Sequence, residues 1–336
     1  MSEDRILLGH GGGGLLTARL IEQLILPVLD DPVLRELEDA AVVTVDAGRL
    51  AFTTDSYVVS PLFFPGGDIG KLAVCGTVND LAVCSAEPLW MSLGMVLEEG
   101  LLVSELRTAI QSVGRWARTA GIRVIAGDTK VVERGRCDGV YLNSAGVGRV
   151  VPTDRPGAEH IRPGDAVIVS GFLGDHGMAV MAARSGLSFA PGLESDCAPL
   201  WDLVRTVLAT GCTVHAMRDL TRGGLAGAVC DLARASGTTI YADEASLPVR
   251  PAVRGACDLL GYDVLGVANE GKLVLFCPAE DAETVLAAMR GHEYGVSAAV
   301  VGEVRAEEPG VAVLRTRLGG QRVIDMPVGE DLPRIC

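Results

Sequence analysis

Apolar residues recur at Leu106, Ile110, Val113 and Ala117, with polar residues between them. That period predicts an amphipathic helix, capped by Ser104 and ended by Gly121. A second helix is expected from about Ile69 to Cys84. Asp68 stands at its start as N-cap, and Glu87-Pro88 lies just beyond its end. Short apolar runs read as strands over 124–126, 166–170 and 273–276. Residues 42–46 and 49–54 flank Ala47-Gly48 as the arms of a hairpin would. Near the start, 5–8 reads as a strand entering a glycine run, followed by an amphipathic helix to about Leu26.

The second half repeats the mixture. Residues 171–177 form a glycine-rich turn into a helix. Thr221-Arg222-Gly223-Gly224 opens a helix over 225–235 that Gly237 ends, and 280–289 reads as another. Pro152, Pro156, Gly157 and Pro163 cluster between the halves, as at a domain boundary. The expected class is therefore α+β: two lobes of mixed strand–helix layers, 1–155 and 156–320, followed by a tail over 321–336. Residues 326–336 hold two prolines and a glycine without a helical period, so they read as a flexible arm. Fully extended, the tail would span roughly 50 Å.

Composition narrows the function. Apolar residues make up 49% of the chain but aromatics only 4%, which implies an aliphatic core and excludes general disorder. A net charge of −14 argues against a nucleic-acid surface. An anion such as ATP remains possible, because a metal and local amides can override the global field. No apolar run is long enough to span a membrane, and the first residues lack a signal-peptide pattern. Nine cysteines without a Cys-x-x-Cys pair make a disulfide framework or zinc site improbable, so the expected home is the reducing cytoplasm.

Gly9, Gly11 and Gly14 satisfy Gly-x-Gly-x-x-Gly between a strand and a helix. Phosphate contact or mobile cover, a flexible turn, and a dinucleotide loop all remain open for them. Residues 266–272 nearly match a Walker A loop, but Leu273 replaces the magnesium-binding hydroxyl and the strand follows the loop instead of preceding it. Four acids stand beside glycine or hydroxyl residues at expected element ends: Asp55, Asp80, Asp128 and Asp219. Converging, they would suit magnesium shared with nucleotide phosphates, with Lys130 close by. Each would serve equally well as a cap or turn residue. Cys336 carries a thiol on the flexible arm, where it can accept a group and move it between sites. Cys75, Cys84, Cys230 and Cys277 sit in apolar contexts and read as core.

These residues fall into runs that resemble the HypE family of hydrogenase maturation factors. The runs are Leu8-Gly9-His10-Gly11-Gly12-Gly13-Gly14, Thr54-Asp55-Ser56-Tyr57-Val58-Val59-Ser60-Pro61 and Phe64-Pro65-Gly66-Gly67-Asp68-Ile69-Gly70-Lys71. Gly127-Asp128-Thr129-Lys130-Val131-Val132, Asp219-Leu220-Thr221-Arg222-Gly223-Gly224-Leu225 and Ala268-Asn269-Glu270-Gly271-Lys272 belong with them. The middle runs are shared with aminoimidazole ribonucleotide and selenophosphate synthetases; the ending Pro333-Arg334-Ile335-Cys336 is specific to HypE. Leu220 departs from a common proline, and Cys84-Ser85-Ala86 from a glycine-containing turn. Neither change removes a reacting group.

The resemblance implies an ATP-dependent carbamoyl dehydratase of two PurM-like lobes, with ATP near the interface of a homodimer whose N-terminal lobes pair. It implies a nucleotide cover from His10, Gly11, Gly12 and Gly13, and nucleotide contacts from Lys71 and Thr221. It makes Asp55, Asp80, Asp128 and Asp219 the acids around Mg2+ and the phosphates. Lys130 and Glu270 would lie close to the modified Cys336, with Glu270 as general base. A HypF-like carbamoyltransferase and a HypC–HypD-like iron-carrying complex are the implied partners. A selenophosphate synthetase-like enzyme would need a reactive residue near the N-terminus, yet the first cysteine is Cys75. A dinucleotide oxidoreductase rests on the glycines alone. A scaffold that only presents Cys336 would leave the acids without a purpose.

Overall fold

The computed structural model describes residues 5–7, 10, 19–36, 48–151, 156–187, 189, 192–325, 332 and 334–336. Strands β1 (Leu50–Tyr57), β2 (Ala86–Glu98), β3 (Arg123–Val132) and β4 (Val140–Val150) form the first sheet in the order β1-β4-β2-β3. Only β2 and β3 run parallel, and parallel neighbours need a crossover. Helices α1 (Ile69–Val83) and α2 (Val103–Ala120) pack against this sheet, and α2 is that crossover. It buries Leu106, Ile110, Val113 and Ala117 and stops at Gly121, whose φ of 71° suits glycine.

α1 begins at Asp68, whose carboxylate accepts the Lys71 N–H at 3.0 Å. Its residues are apolar on almost every side, and such a helix must be covered on every side. The first sheet, α2 and the second lobe cover it. Asn79, a buried polar residue within it, ties the lobes together. Its Nδ2 donates to the carbonyls of Ala198 (3.1 Å) and Glu270 (3.0 Å), and its Oδ1 accepts the Leu200 N–H (2.8 Å).

The second sheet contains β5 (Asp165–Val169), β6 (Ala216–Asp219), β7 (Thr239–Asp243), β8 (Leu273–Pro278), β9 (Ala299–Arg305), β10 (Ala312–Arg315) and β11 (Gln321–Val323). Their order is β11-β10-β7-β9-β5-β8-β6, antiparallel except for the β10–β7 pair. The helices are α3 (Asp175–Ser185), α4 (Trp201–Leu208), α5 (Gly224–Ser236), α6 (Pro251–Leu260) and α7 (Ala282–Arg290). α5 packs in one core of this lobe, and α4 and α7 in another. α3 and α6 join the core of the first lobe, so the apolar interior is continuous between lobes. This is the expected α+β arrangement of two mixed lobes.

Several expectations change in detail. The strand expected over 124–126 runs on through Gly127-Asp128-Thr129-Lys130, because β3 is an edge strand on which a polar stretch is tolerated. Glu87-Pro88 lies inside β2 at a register shift, where proline is accommodated. Leu102, not Ser104, precedes α2, and no side chain caps it. The arm expected over 42–46 and the glycines at 9 and 11–14 lie outside the described residues. The end of the tail is docked: Leu332 and Ile335 are buried.

Candidate active site

Three of the four acids approach one another where the lobes meet. Asp55 lies on β1, Asp80 in the last turn of α1 and Asp219 at the end of β6. The Thr53 hydroxyl donates to Asp80 Oδ2 at 2.6 Å. Burial raises the Asp80 carboxyl; the Thr53 bond opposes this and the charge of Asp55 adds to it. Burial pushes Asp219 up to about 7, with Asp80 adding and Arg218 opposing. Thr53, Asp80, Arg218 and Asp219 line a cleft of about 320 Å³ that Phe52 flanks.

Burial first, and mutual charge after it, make these carboxylates costly to ionise, a cost that a divalent cation would offset. Among the described residues, no group of three or more His, Cys, Asp or Glu is arranged to hold a metal unaided. Magnesium fits that donor set, since it takes one or two carboxylates and completes its octahedron with phosphate and water. Thr221 lies in the turn after Asp219, its carbonyl accepting the Gly224 N–H at 2.9 Å. Gly223 and Gly224 both have positive φ, and a Cβ on Gly224 would come within 2.5 Å of the Leu265 and Val267 carbonyls. The turn therefore requires glycine, and it leaves the start of α5 without a side-chain cap, as an anion-binding helix end does.

Asp128 and Lys130 are elsewhere. The register runs Asp55–Ser144–Leu93–Gly127 across the sheet, so Asp128 lies three strand spacings away, about 14 Å. Both side chains are exposed on the far edge, and one chain alone does not bring them to the other acids. Lys71 also turns away. Its Nζ donates to the Gly66 carbonyl at 2.9 Å and lies 4.2 Å from the Trp116 ring centre, in a groove with Ser112 and Arg115. The His10 ring accepts the Leu7 N–H at 2.9 Å; Gly11, Gly12 and Gly13 lie outside the described residues.

Glu270 is 2% exposed, and its Oε1 has no hydrogen-bond partner. Burial holds its carboxyl well above the ordinary range, and Cys197, Asp196, Asp219 and Asp55 add to the effect. Its backbone is fixed by Asp196, which accepts the N–H groups of Glu270 (3.1 Å) and Gly271 (3.2 Å) and pairs with Lys272 Nζ at 3.2 Å. A fixed main chain under an unpartnered buried carboxyl places that group to exchange a proton with whatever fills the space beside it.

The end of the chain lies alongside residues 58–60. The Val58 N–H donates to the Cys336 main-chain oxygen at 3.1 Å, and the Ser60 N–H to the Arg334 carbonyl at 3.2 Å. The Arg184 guanidinium donates to the carbonyls of Arg334 (2.8 Å) and Ser60 (2.7 Å), and Arg334 pairs with Asp138. Cys336 is half-buried against the common core. Its oxygen meets a residue only three positions from Asp55, about 10 Å along the strand.

Sequence reasoning missed Thr53, Asn79 and Asp196. Asn79 left a signal, an amide in an otherwise apolar helix. Asp196 left none, because its loop has no period.

Two family models match, the N-terminal domain of AIR synthase related proteins over residues 37–150 and their C-terminal domain over 162–315. Carbamoyl dehydratase HypE of Rhodobacter capsulatus is 50% identical over 100% of this chain and 99% of its own length. A crystal structure of hydrogenase maturation protein HypE in complex with ATP superposes with a TM-score of 0.95 at 44% identity, covering 98% of this chain and 99% of that one. The HypE chain of a HypE–HypF complex matches with a TM-score of 0.80 at 42% identity, covering 92% and 99%.

Proposed function

Because the chain belongs to the HypE family of carbamoyl dehydratases, we propose that it uses ATP to dehydrate an S-carbamoyl group on its own Cys336 to a thiocyanate. The product supplies cyanide to a hydrogenase iron centre. A HypF-like transferase loads the carbamoyl group, a step supported by the HypE–HypF complex of a relative. A HypC–HypD-like complex receives the cyanide on its iron.

The reading is supported most directly by the docked C-terminus. The residue that must carry the group is bonded to Val58, just past the end of β1, the strand that bears Asp55. In the reaction, the amide oxygen takes the γ-phosphoryl group of ATP as the nitrogen gives up one proton. Departure of phosphate with loss of the second proton leaves C≡N on sulfur, so the oxygen lost from the amide leaves in phosphate. Glu270 accepts an amide proton in its ionised form, a role supported by its unpartnered Oε1. Asp55, Asp80 and Asp219 would hold magnesium, which supplies charge neutralisation to the phosphates. The uncapped start of α5, with Thr221 beside it, would receive a phosphate. His10, Gly11, Gly12 and Gly13 would cover the nucleotide.

Asp128 and Lys130 can take part only from a second copy, which favours a homodimer through the first lobes. Support comes from the uncovered face of the first sheet, where Phe52 is 72% and Leu50 48% exposed. The cytoplasm is the proposed location: the nine cysteines form no disulfide, and no described helix is long and apolar enough to cross a membrane.

The test is the mass of the C-terminal peptide after incubation with carbamoyl phosphate, a HypF-like transferase, magnesium and ATP. A carbamoyl gain on Cys336, followed by loss of one water only with ATP, is expected. Loading without water loss would leave a carrier without the dehydratase step. Absence of loading, with a transferase active on a control, would overturn the assignment.

A further inference from the structure

The dock of the C-terminus contains a hydrogen-bond relay that the chemistry above does not use. His176 lies in the first turn of α3 and is fully buried. Its Nε2 is 2.8 Å from the Ile335 carbonyl and its Nδ1 2.8 Å from Ser195 Oγ. A carbonyl can only accept, so Nε2 carries the proton and Nδ1 must accept from the serine hydroxyl. Ser195 Oγ accepts in turn from the Cys197 N–H at 3.1 Å, and the Ser195 N–H donates to the Pro65 carbonyl at 2.8 Å. Every bond in this chain has one permitted direction, and it ends on the penultimate residue of the tail. Phe64 fixes the ring plane, edge to face at 5.5 Å. Ile335 itself is 2% exposed, so its carbonyl has no water to turn to if the imidazole is removed.

We propose that His176 is a positioning residue: its Nε2–H bond to Ile335 sets how the C-terminus divides between the docked position and the released one in which partner proteins reach Cys336. The proposal rests on the carrier reading of Cys336. Arg184 also holds the tail, but at the exposed surface, where water can replace it. The buried imidazole is the contact whose loss shifts the balance most.

The measurement is hydrogen exchange of the full-length protein, followed on the peptide containing Val58 and Ser60, whose amides bond the tail. It needs neither ATP nor a transferase, so it reads the dock even where the dehydratase assignment fails. His176→Phe keeps the aromatic packing and removes both ring nitrogens; exchange at the two amides should rise about ten-fold, the worth of one buried hydrogen bond. His176→Gln places an amide nitrogen near the position of Nε2 and should restore protection to within about three-fold of the original chain. Ser195→Ala, which frees the other tautomer, should fall between them. In the coupled reaction, His176→Phe should slow ATP-dependent conversion of the carbamoyl group to thiocyanate about ten-fold while carbamoyl loading is undiminished, a split that general destabilisation would not produce. Unchanged protection of Val58 and Ser60 in His176→Phe would overturn the proposal. If that variant does not fold, unchanged protection in Ser195→Ala would do the same.

Discussion

Two sets of buried polar atoms lie side by side where the lobes meet, and they are treated in opposite ways. In the seam, Asn79 and Asp196 are fully engaged: the amide holds two carbonyls and an N–H, and the carboxylate holds two N–H groups and a lysine. In the adjoining site, Glu270 Oε1 is as deeply buried and has no partner. Glu270 belongs to both sets, with its backbone bound and its side chain open. An unsatisfied buried group opposes folding, so its persistence points to a partner that arrives during the reaction. Satisfied atoms hold the lobes together, and open ones await the substrate.

That contrast breaks if substitutions in the two sets behave alike. Glu270→Gln should lower ATP-dependent water loss by about 10²–10⁴, the usual weight of a general base, and leave the urea midpoint at or above that of the original protein. A fall in stability with little kinetic change would move Glu270 into the seam. Asn79→Ala should do the reverse. It strands two carbonyls and an N–H, costing roughly 3 kcal/mol in urea unfolding, with activity following only the folded fraction.

A pH-dependent effect concerns the acids. Asp219 is raised in the folded protein to about 7 from an ordinary value of 3.8. The stability this gives is fully present below about pH 4 and is lost as pH rises through about 7. Without divalent cation, the urea midpoint should therefore drift downward between about pH 4 and pH 7, and Asp219→Asn should flatten the drift. An upward drift would show that the acids are not crowded.

What the sequence made legible was local. Asp68 announces α1 because its side chain bonds the backbone three residues on, and Gly121 and Gly237 end helices because the last residue must turn left-handed. β2 was hidden: a helix ending before a proline suggests a loop, whereas Pro88 sits at a shift in the ladder. Gly127-Asp128-Thr129-Lys130 looks like a turn because an edge strand can be polar. The approach of Asp55, Asp80 and Asp219, and the separation of Asp128, are facts of sheet order and register, which no local pattern encodes. The motif resemblance named the acids but carried no distances. The docked tail was equally illegible, since Ile335 is buried by residues more than a hundred positions away.

The way the tail is held has one more consequence. The bonds from Val58, Ser60, His176 and Arg184 all end on main-chain oxygens of the last three residues. Those oxygens are the same whether the sulfur bears hydrogen, carbamoyl or cyanide, so these main-chain bonds do not read the cargo. Bonds that grip every form alike cannot drive the cycle forward, because equal affinity shifts no equilibrium. Direction must enter through the nucleotide and the acids around it, leaving the dock as a reusable clasp that resets after each delivery.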